Sequence, residues 1–499
     1  MQALPIGSAA ASVSGSQQQV PVSPIAETSV NRFFFVAGMV LIFLRWSMFV
    51  EFQTMLLGAN LRLFYIIGVP ALLGLLLGGG FRRALQGRPS IYWLLFTLWL
   101  IPATLFSIWK GGSVPVVFGF LRACLPLLFV IAGMVVTWRD CRTVMFVITW
   151  ASLTSLAAVY AFADSARYDY RLGLESGTLA NPNDIAAHII LSFAFLLWVL
   201  LSSKSIVLRL AMLAAMGYGC TVILSTGSRG ALIGMVSAIA IYFVLCTTRQ
   251  RAVLATMLPL ALAGAAAFAP AESLRRITSF SSADDAISAE ALGSRMHREE
   301  LMRMAVKASF QNPLFGVGPG QFADYEGLHG RARGDRGSWY NAHNSYLQVA
   351  AESGFPGLIL YLAAVGSTFG LLIRTRRQAS RSPEHLEITR MTTCILAGFG
   401  GFCIAIAFLN FAYFFYLPAM SGLAIAISRA AERQFNGQSA NAAASPGRFD
   451  FQRTEPVTEE SSRFSAPVAH RESALQRRRS DRLGSAKRLR QDQGDRRTL

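Results

Sequence analysis

Long apolar runs separated by short polar breaks recur along most of the chain, and many approach the roughly 20 residues that a membrane-spanning helix needs. Taken as helices they predict about twelve spans, beginning near Phe33, Leu63, Tyr92, Val114, Thr143, Asp184, Ile206, Ala231, Ala252, Pro356, Met391 and Tyr413. The series is broken by a long polar stretch over residues 271–344. Within it Leu301, Met302, Met304, Ala305, Ala308 and Phe310 recur at helical spacing, which predicts an amphipathic helix over 299–310, lying near the membrane surface. Asn312-Pro313 ends that helix. Ser345 with Gln348 is a capping-box pattern opening the next one, with Asn344 as the other candidate N-cap. The expected fold is an all-α polytopic membrane protein of about twelve transmembrane helices with a long loop containing amphipathic helix.

Composition sharpens the picture. With 53% hydrophobic and only 15% charged residues, the chain is not a soluble domain. It divides into a flexible tail (1–31), a bundle of about nine spans (32–270), the loop (271–344), the closing spans (345–431) and a basic tail (432–499). The first segment is rich in Ser, Gln and Ala and lacks a basic run before a short apolar stretch, so no cleaved signal peptide is read there. The last segment has too little apolar content to offset its conformational entropy and is expected to be disordered, its arginines favouring an anionic inner leaflet. Cys124, Cys141, Cys220, Cys246, Cys394 and Cys403 show neither metal-site spacing nor a disulfide framework.

A net charge of +18 raises the question of nucleic acid, and the distribution of that charge answers it. In one set of alternate short connections stand Arg82, Arg83, Arg88, Arg139, Arg142, Lys204, Arg209, Arg249, Arg251, Arg374, Arg376, Arg377, Arg381 and Arg390. The other set holds Arg62, Lys110, Arg167 and Arg171. Such asymmetry is the positive-inside pattern, with both termini cytoplasmic and no nucleic-acid partner. Residues 176–183, 224–230 and the long loop then share the outer face.

Candidate chemistry lies on that face. Arg229 stands between Gly227 and Gly230, which would let a ligand approach the backbone closely. His343 sits just before a helix start, either as a plain hydrogen-bonding group that ties the loop to the bundle or as a general base or anion contact. No second histidine or cysteine lies at zinc-ligand spacing, so no metal is expected. Gly316, Gly318 and Gly320 resemble a nucleotide loop only superficially, because no βαβ pattern surrounds them. Arg122, inside the fourth span, is either an internal hydrogen-bond anchor or part of a lipid groove, and Arg45 is similarly ambiguous.

Three of these segments together resemble a known family. Ala342-His343-Asn344-Ser345-Tyr346-Leu347 with Glu352-Ser353-Gly354-Phe355-Pro356-Gly357-Leu358, Ser225-Thr226-Gly227-Ser228-Arg229-Gly230-Ala231, and Arg298 fifteen residues before Pro313-Leu314-Phe315-Gly316-Val317-Gly318 are similar to motifs of the O-antigen ligase and polymerase superfamily of bacterial membrane glycosyltransferases. The resemblance implies inverting, metal-independent glycan transfer without a cofactor at the periplasmic face of the inner membrane. The implied donor is an undecaprenyl-pyrophosphate-linked glycan, and the implied acceptor is lipid A core, a growing polysaccharide or a protein. It further implies that Arg229 and Arg298 bind the donor pyrophosphate and that His343 is catalytic, with Arg122, Arg295, Ser228 and Asn344 in supporting places. A ligase is expected, a polymerase of the same superfamily is the alternative, and a flippase or transporter is the competing class. Against the transporter stand the one-sided polar loop and the lack of an evident internal repeat.

Overall fold

The computed structural model describes residues 29–163, 171–174, 177–278, 286–332 and 339–444. No β-strand occurs among them. The helices of the first half are α1 (Ser29–Ser47), α2 (Phe49–Leu57), α3 (Leu63–Leu77), α4 (Gly80–Ala84), α5 (Arg88–Leu105), α6 (Lys110–Ala123), α7 (Leu125–Met134), α8 (Trp138–Phe162) and α9 (Pro182–Ser202). Those of the second half are α10 (Ile206–Ser225), α11 (Arg229–Leu245), α12 (Thr248–Ala267), α13 (Ala271–Thr278), α14 (Ala286–Gln311), α15 (Phe322–Ala332), α16 (Ser345–Ala379), α17 (Leu386–Ala405) and α18 (Tyr416–Ala444). All but the last two described residues belong to one compact unit ending at Ala442.

Each expected span start falls on one of these helices or, for Tyr413, three residues before one. The count of twelve is a different matter. Among the described residues, seven helical segments are long and apolar enough to cross a membrane, or eight if α1 and α2, bent by 70°, form a single span. The shortfall has physical causes. At 1.5 Å per residue, the 15 residues of α3 and the 17 of α11 reach only about 22 and 26 Å, short of a core about 30 Å thick. Helix α5 opens on Arg88-Pro89-Ser90, and α18 carries Arg429, Glu432 and Arg433, so neither offers a long uninterrupted apolar window. Beyond residue 432, where a tail is expected, α18 continues to Ala444; the rest of that segment and residues 1–28 lie outside the described residues.

Helices α9 and α17 form the buried centre, with α11, α10 and α8 packed around them, while α16 lies against α5 and α1 against α3. Backbones touch where α11 meets α17. A Cβ on Gly234 would stand 2.8 Å from the Gly401 carbonyl oxygen, and one on Gly401 would stand 2.5 Å from that of Gly234. Small residues allow such close approach, which favours dispersion contact where no hydrophobic driving force acts between helices. Helix α12 stands at the edge of the bundle.

The polar stretch 271–344 contains α13, α14 and α15. Helix α14 covers the expected 299–310 segment, and part of its apolar stripe packs on the protein itself: Leu301, Ala305 and Ala308 join Val317, Phe322, Tyr325, Ala342 and Ala351 in a separate small core, while Phe310 stays exposed. At the start of α16 the cap is Asn344, whose Oδ1 accepts from the Tyr346 and Leu347 N–H groups at 3.0 and 3.1 Å. The expected helix at Ser345 and the span expected from Pro356 are both present, joined across a break at Gly354 (φ 71°, ψ −179°).

Candidate functional site

The residues around His343 are fixed by the turn that precedes α18. Ser345, fully buried, donates its hydroxyl to the Leu409 carbonyl and accepts from the Phe411 N–H, both at 2.8 Å. Between those two partners, Asn410 Oδ1 accepts the His343 N–H at 2.7 Å. His343 itself has φ 48°, a left-handed conformation that costs a non-glycine residue about 1–2 kcal/mol. The Asn410 contact on one side and the Asn344 cap on the other offset that cost and fix the backbone that carries the imidazole.

The glycine-rich segment that follows α14 has a structural task. Pro356 has no N–H to return to the Glu352 carbonyl, and at the Gly354 break the Phe355 N–H turns to the Pro313 carbonyl instead (2.8 Å). The freed carbonyls of Ala351 and Glu352 accept from Val317 and Gly318 N–H at 2.8 and 3.1 Å, and Trp99 Nε1 donates to the Ser353 carbonyl at 2.8 Å. A Cβ at Gly318, where φ is 110°, would lie 2.0 Å from Ser107 Oγ. Docking onto a broken helix explains these glycines, and nucleotide binding is not needed to account for them.

Docked in this way, α14 brings charge to the histidine. Arg298 and its neighbour His297, both partly buried, act electrostatically on His343. Burial first, then the Arg298 charge and His297, push the His343 pKa down to about 4, so its ring is neutral at neutral pH. The His297 ring stands edge-to-face with Tyr340 at 4.9 Å. A neutral imidazole beside a guanidinium can accept a proton while the cation holds an anion.

Arg229 is the first residue of α11, and Ser228 is its N-cap, accepting the Ala231 N–H at 3.3 Å. The turn that holds His343 also reaches this helix start, since a Cβ on Gly230 would lie 2.7 Å from Phe408 Cβ. Arg171 joins the neighbouring polar segments: its Nε donates to the Thr226 carbonyl and a terminal nitrogen to Asn183 Oδ1, each at 2.9 Å. Ser273 Oγ donates to the Ser225 carbonyl at 3.0 Å. Of the segments expected to share one face, 176–183 and 224–230 are thus linked through Arg171, and the start of the long loop reaches the second of them through Ser273.

Arg122 lies elsewhere. With Arg45, Asn60, Tyr65 and Thr178 it supplies the polar part of a mostly apolar cavity of about 770 Å³, and it donates to Tyr65 Oη at 3.1 Å. Tyr413 and Phe414 line the same cavity, so it adjoins the turn that holds His343. The side chain of Arg295 lies outside the described residues. Sequence reasoning passed over Asn410 and His297. The signal for Asn410 is a lone amide in an otherwise apolar turn; His297 offers no ligand spacing, and spacing says nothing about a lone ring next to an arginine.

Comparison with known families agrees with the motifs. Residues 213–362 match the family model described as O-Antigen ligase, a stretch that runs from α10 through Arg229, Arg298 and His343 into α16. Among curated proteins none matches the chain.

Proposed function

On the premise that residues 213–362 form an O-antigen ligase domain in an integral membrane protein, we propose that the chain transfers a glycan from undecaprenyl pyrophosphate to an acceptor hydroxyl at the periplasmic face. The juxtaposition of the His343 ring with Arg298, on a backbone held in place by Asn410, carries this reading. Arg229 and Arg298 hold the donor pyrophosphate, and fixed guanidinium groups stabilise the charge that grows on it better than mobile water does. His343 takes the proton of the acceptor hydroxyl, whose oxygen attacks the anomeric carbon. The bond from that carbon to the pyrophosphate oxygen breaks with its electron pair on the leaving group, and the anomeric centre inverts. No metal or cofactor enters this scheme.

The mostly apolar cavity lined in part by Arg45 and Arg122 adjoins the turn that holds His343 and suits a lipid chain carrying a phosphate. The arginine-rich connections, among them Arg82, Arg139, Arg251 and Arg377, support placing both termini in the cytoplasm and the site outside. We favour a ligase acting on lipid A core. Deleting the gene and analysing surface glycans on gels tests this: loss of long chains from an intact core supports a ligase, whereas a single repeat left on that core means a polymerase. In nanodiscs with a lipid-pyrophosphate donor and matched acceptor, His343→Ala is expected to lower turnover by roughly a hundred- to ten-thousandfold.

A further inference from the structure

Glu352 lies in α16, more than two turns beyond His343, and is completely buried, a place where a carboxylate needs compensation. One carboxylate oxygen accepts the Gly320 N–H at 2.8 Å and the other the Phe322 N–H at 3.3 Å, while the amide of Gln348, one turn earlier, lies 3.4 and 3.5 Å from the two oxygens. Phe322 is the first residue of α15, so Glu352 supplies from another helix an acceptor for one of the N–H groups that a helix start leaves without an intrahelical partner. Helix α15 in turn presents Glu326, whose Oε2 accepts the Trp339 N–H at 2.6 Å, four residues ahead of His343. Leu301 and Ala305 of the Arg298 helix share one small buried cluster with Phe322 and Ala342. The carboxylate thus sits where the outlet of the arginine helix, the start of α15 and the helix opened by the histidine are tied together.

From this arrangement we infer that Glu352 is a positioning residue, setting the separation between the donor-binding Arg298 and the proton-accepting His343. The inference rests on the function proposed above. Its chemistry is that of two N–H groups pointing at the two oxygens of one carboxyl group. Glutamine can satisfy one of them but presents its own N–H to the other, so the loop must shift. A displacement near 1 Å between reacting groups can cost on the order of a hundredfold in rate. A residue that merely held the fold would lower the amount of active protein without changing how Arg298 acts on His343.

That difference can be measured on the full chain in nanodiscs by following carbethoxylation of His343 with diethyl pyrocarbonate, by peptide mass spectrometry, from pH 4 to 8. Only the neutral ring reacts. Among the described residues, Arg298 and His297 of α14 are the charged and titratable groups that act on it. Wild type should react down to the acid end of the range. In Arg298→Gln the midpoint should rise by about one pH unit as the neighbouring charge is lost. Glu352→Gln should raise it in the same direction and lower kcat at least tenfold, and Gln348→Met, which only removes the amide that orients the carboxylate, should do so to a lesser degree. If Glu352→Gln fails to insert, Gln348→Met decides, and an unmoved midpoint there overturns the inference. A midpoint that moves in Arg298→Gln and stays fixed in Glu352→Gln overturns the positioning role alone. Normal turnover by His343→Ala removes the catalytic reading and this inference with it.

Discussion

Replacing Ser345 with alanine is the sharpest test of how the histidine is held. The hydroxyl bridges two backbone groups, donating to Leu409 and accepting from Phe411, and Ser345, Leu409 and Phe411 are all buried. Neither backbone group can turn to water once the hydroxyl is gone. Each unsatisfied buried partner costs about 1–3 kcal/mol, so the variant should lose about 2–6 kcal/mol, a large share of the ~5–15 kcal/mol that keeps a protein folded. Ser367→Ala is the matched control, because its hydroxyl makes only a local bond to the Ala364 carbonyl one turn away and its loss should cost no more than about 0.5 kcal/mol. Thermal unfolding in nanodiscs, followed by tryptophan fluorescence, reads the difference, with a drop of more than about 5 °C expected for Ser345→Ala. Transfer should fall as well, since Asn410 lies between the two groups set loose and holds His343. A Ser345→Ala protein as stable as the Ser367→Ala control would refute the argument that this turn anchors the site.

The remaining expectations are shorter. Arg229→Lys and Arg298→Lys should restore little of the transfer lost in the alanine variants, because a point charge lacks the planar fork that grips a phosphate; donor binding to each lysine variant close to wild type would sink the pyrophosphate assignment. For the free enzyme, kcat/KM should stay flat down to about pH 5 and fall below it, following the His343 pKa of about 4; a limb at 6.5 would show that burial and Arg298 do not act on the ring. The same shift has a stability consequence. The unfolded chain protonates this histidine first, so the stabilisation is full above about 6.5 and is lost as pH falls through about 4. Exposed Lys307 and Glu384 lie in α14 and in the turn before α17, so an impermeant thiol reagent added from the periplasm should label Lys307→Cys and leave Glu384→Cys unlabelled. The reverse pattern would invert the proposed topology.

What could be read from residue order alone was whatever depends on neighbours in sequence. Apolar periodicity located the longer helices of the bundle, the stripe from Leu301 to Phe310 located the second half of α14, and the pattern after His343 located the start of α16. The motifs around Arg229, Arg298 and His343 pointed to the family that residues 213–362 match. The number of spans was less legible, because run length near α3 and α11 counts flanking residues that are not helical, and because Arg88 and the charges of α18 interrupt otherwise apolar windows. Nor could the reading choose between Ser345 and Asn344 as the cap. That choice was settled by Leu409 and Phe411, more than sixty residues away, which claim the serine hydroxyl. Gly316 to Gly320 carried a clear pattern whose partner, the Gly354–Pro356 break, is also plain in the sequence, yet their pairing is a tertiary fact.

A base with a pKa near 4 is a weak one for an alcohol, and this weakness is informative about the order of events. Part of the depression is burial, which persists throughout the cycle; the remainder comes chiefly from the Arg298 charge, which a bound anion would cancel. On the proposed reading, the pyrophosphate that arrives between Arg298 and His343 delivers the leaving group and strengthens the base in one step. Before it arrives, the ring gives little help to any hydroxyl that diffuses in. Once it is bound, the pKa climbs towards the ordinary histidine range, where proton transfer at neutral pH is most effective. The acid limb of kcat, which reports the donor-bound enzyme, must then lie above that of kcat/KM, which reports the free one. In Arg298→Gln the gap between the limbs should narrow, because the charge that separates the two states is gone. Coincident limbs in the wild type would mean that the donor's anion never comes near His343, and the base would have to be sought elsewhere.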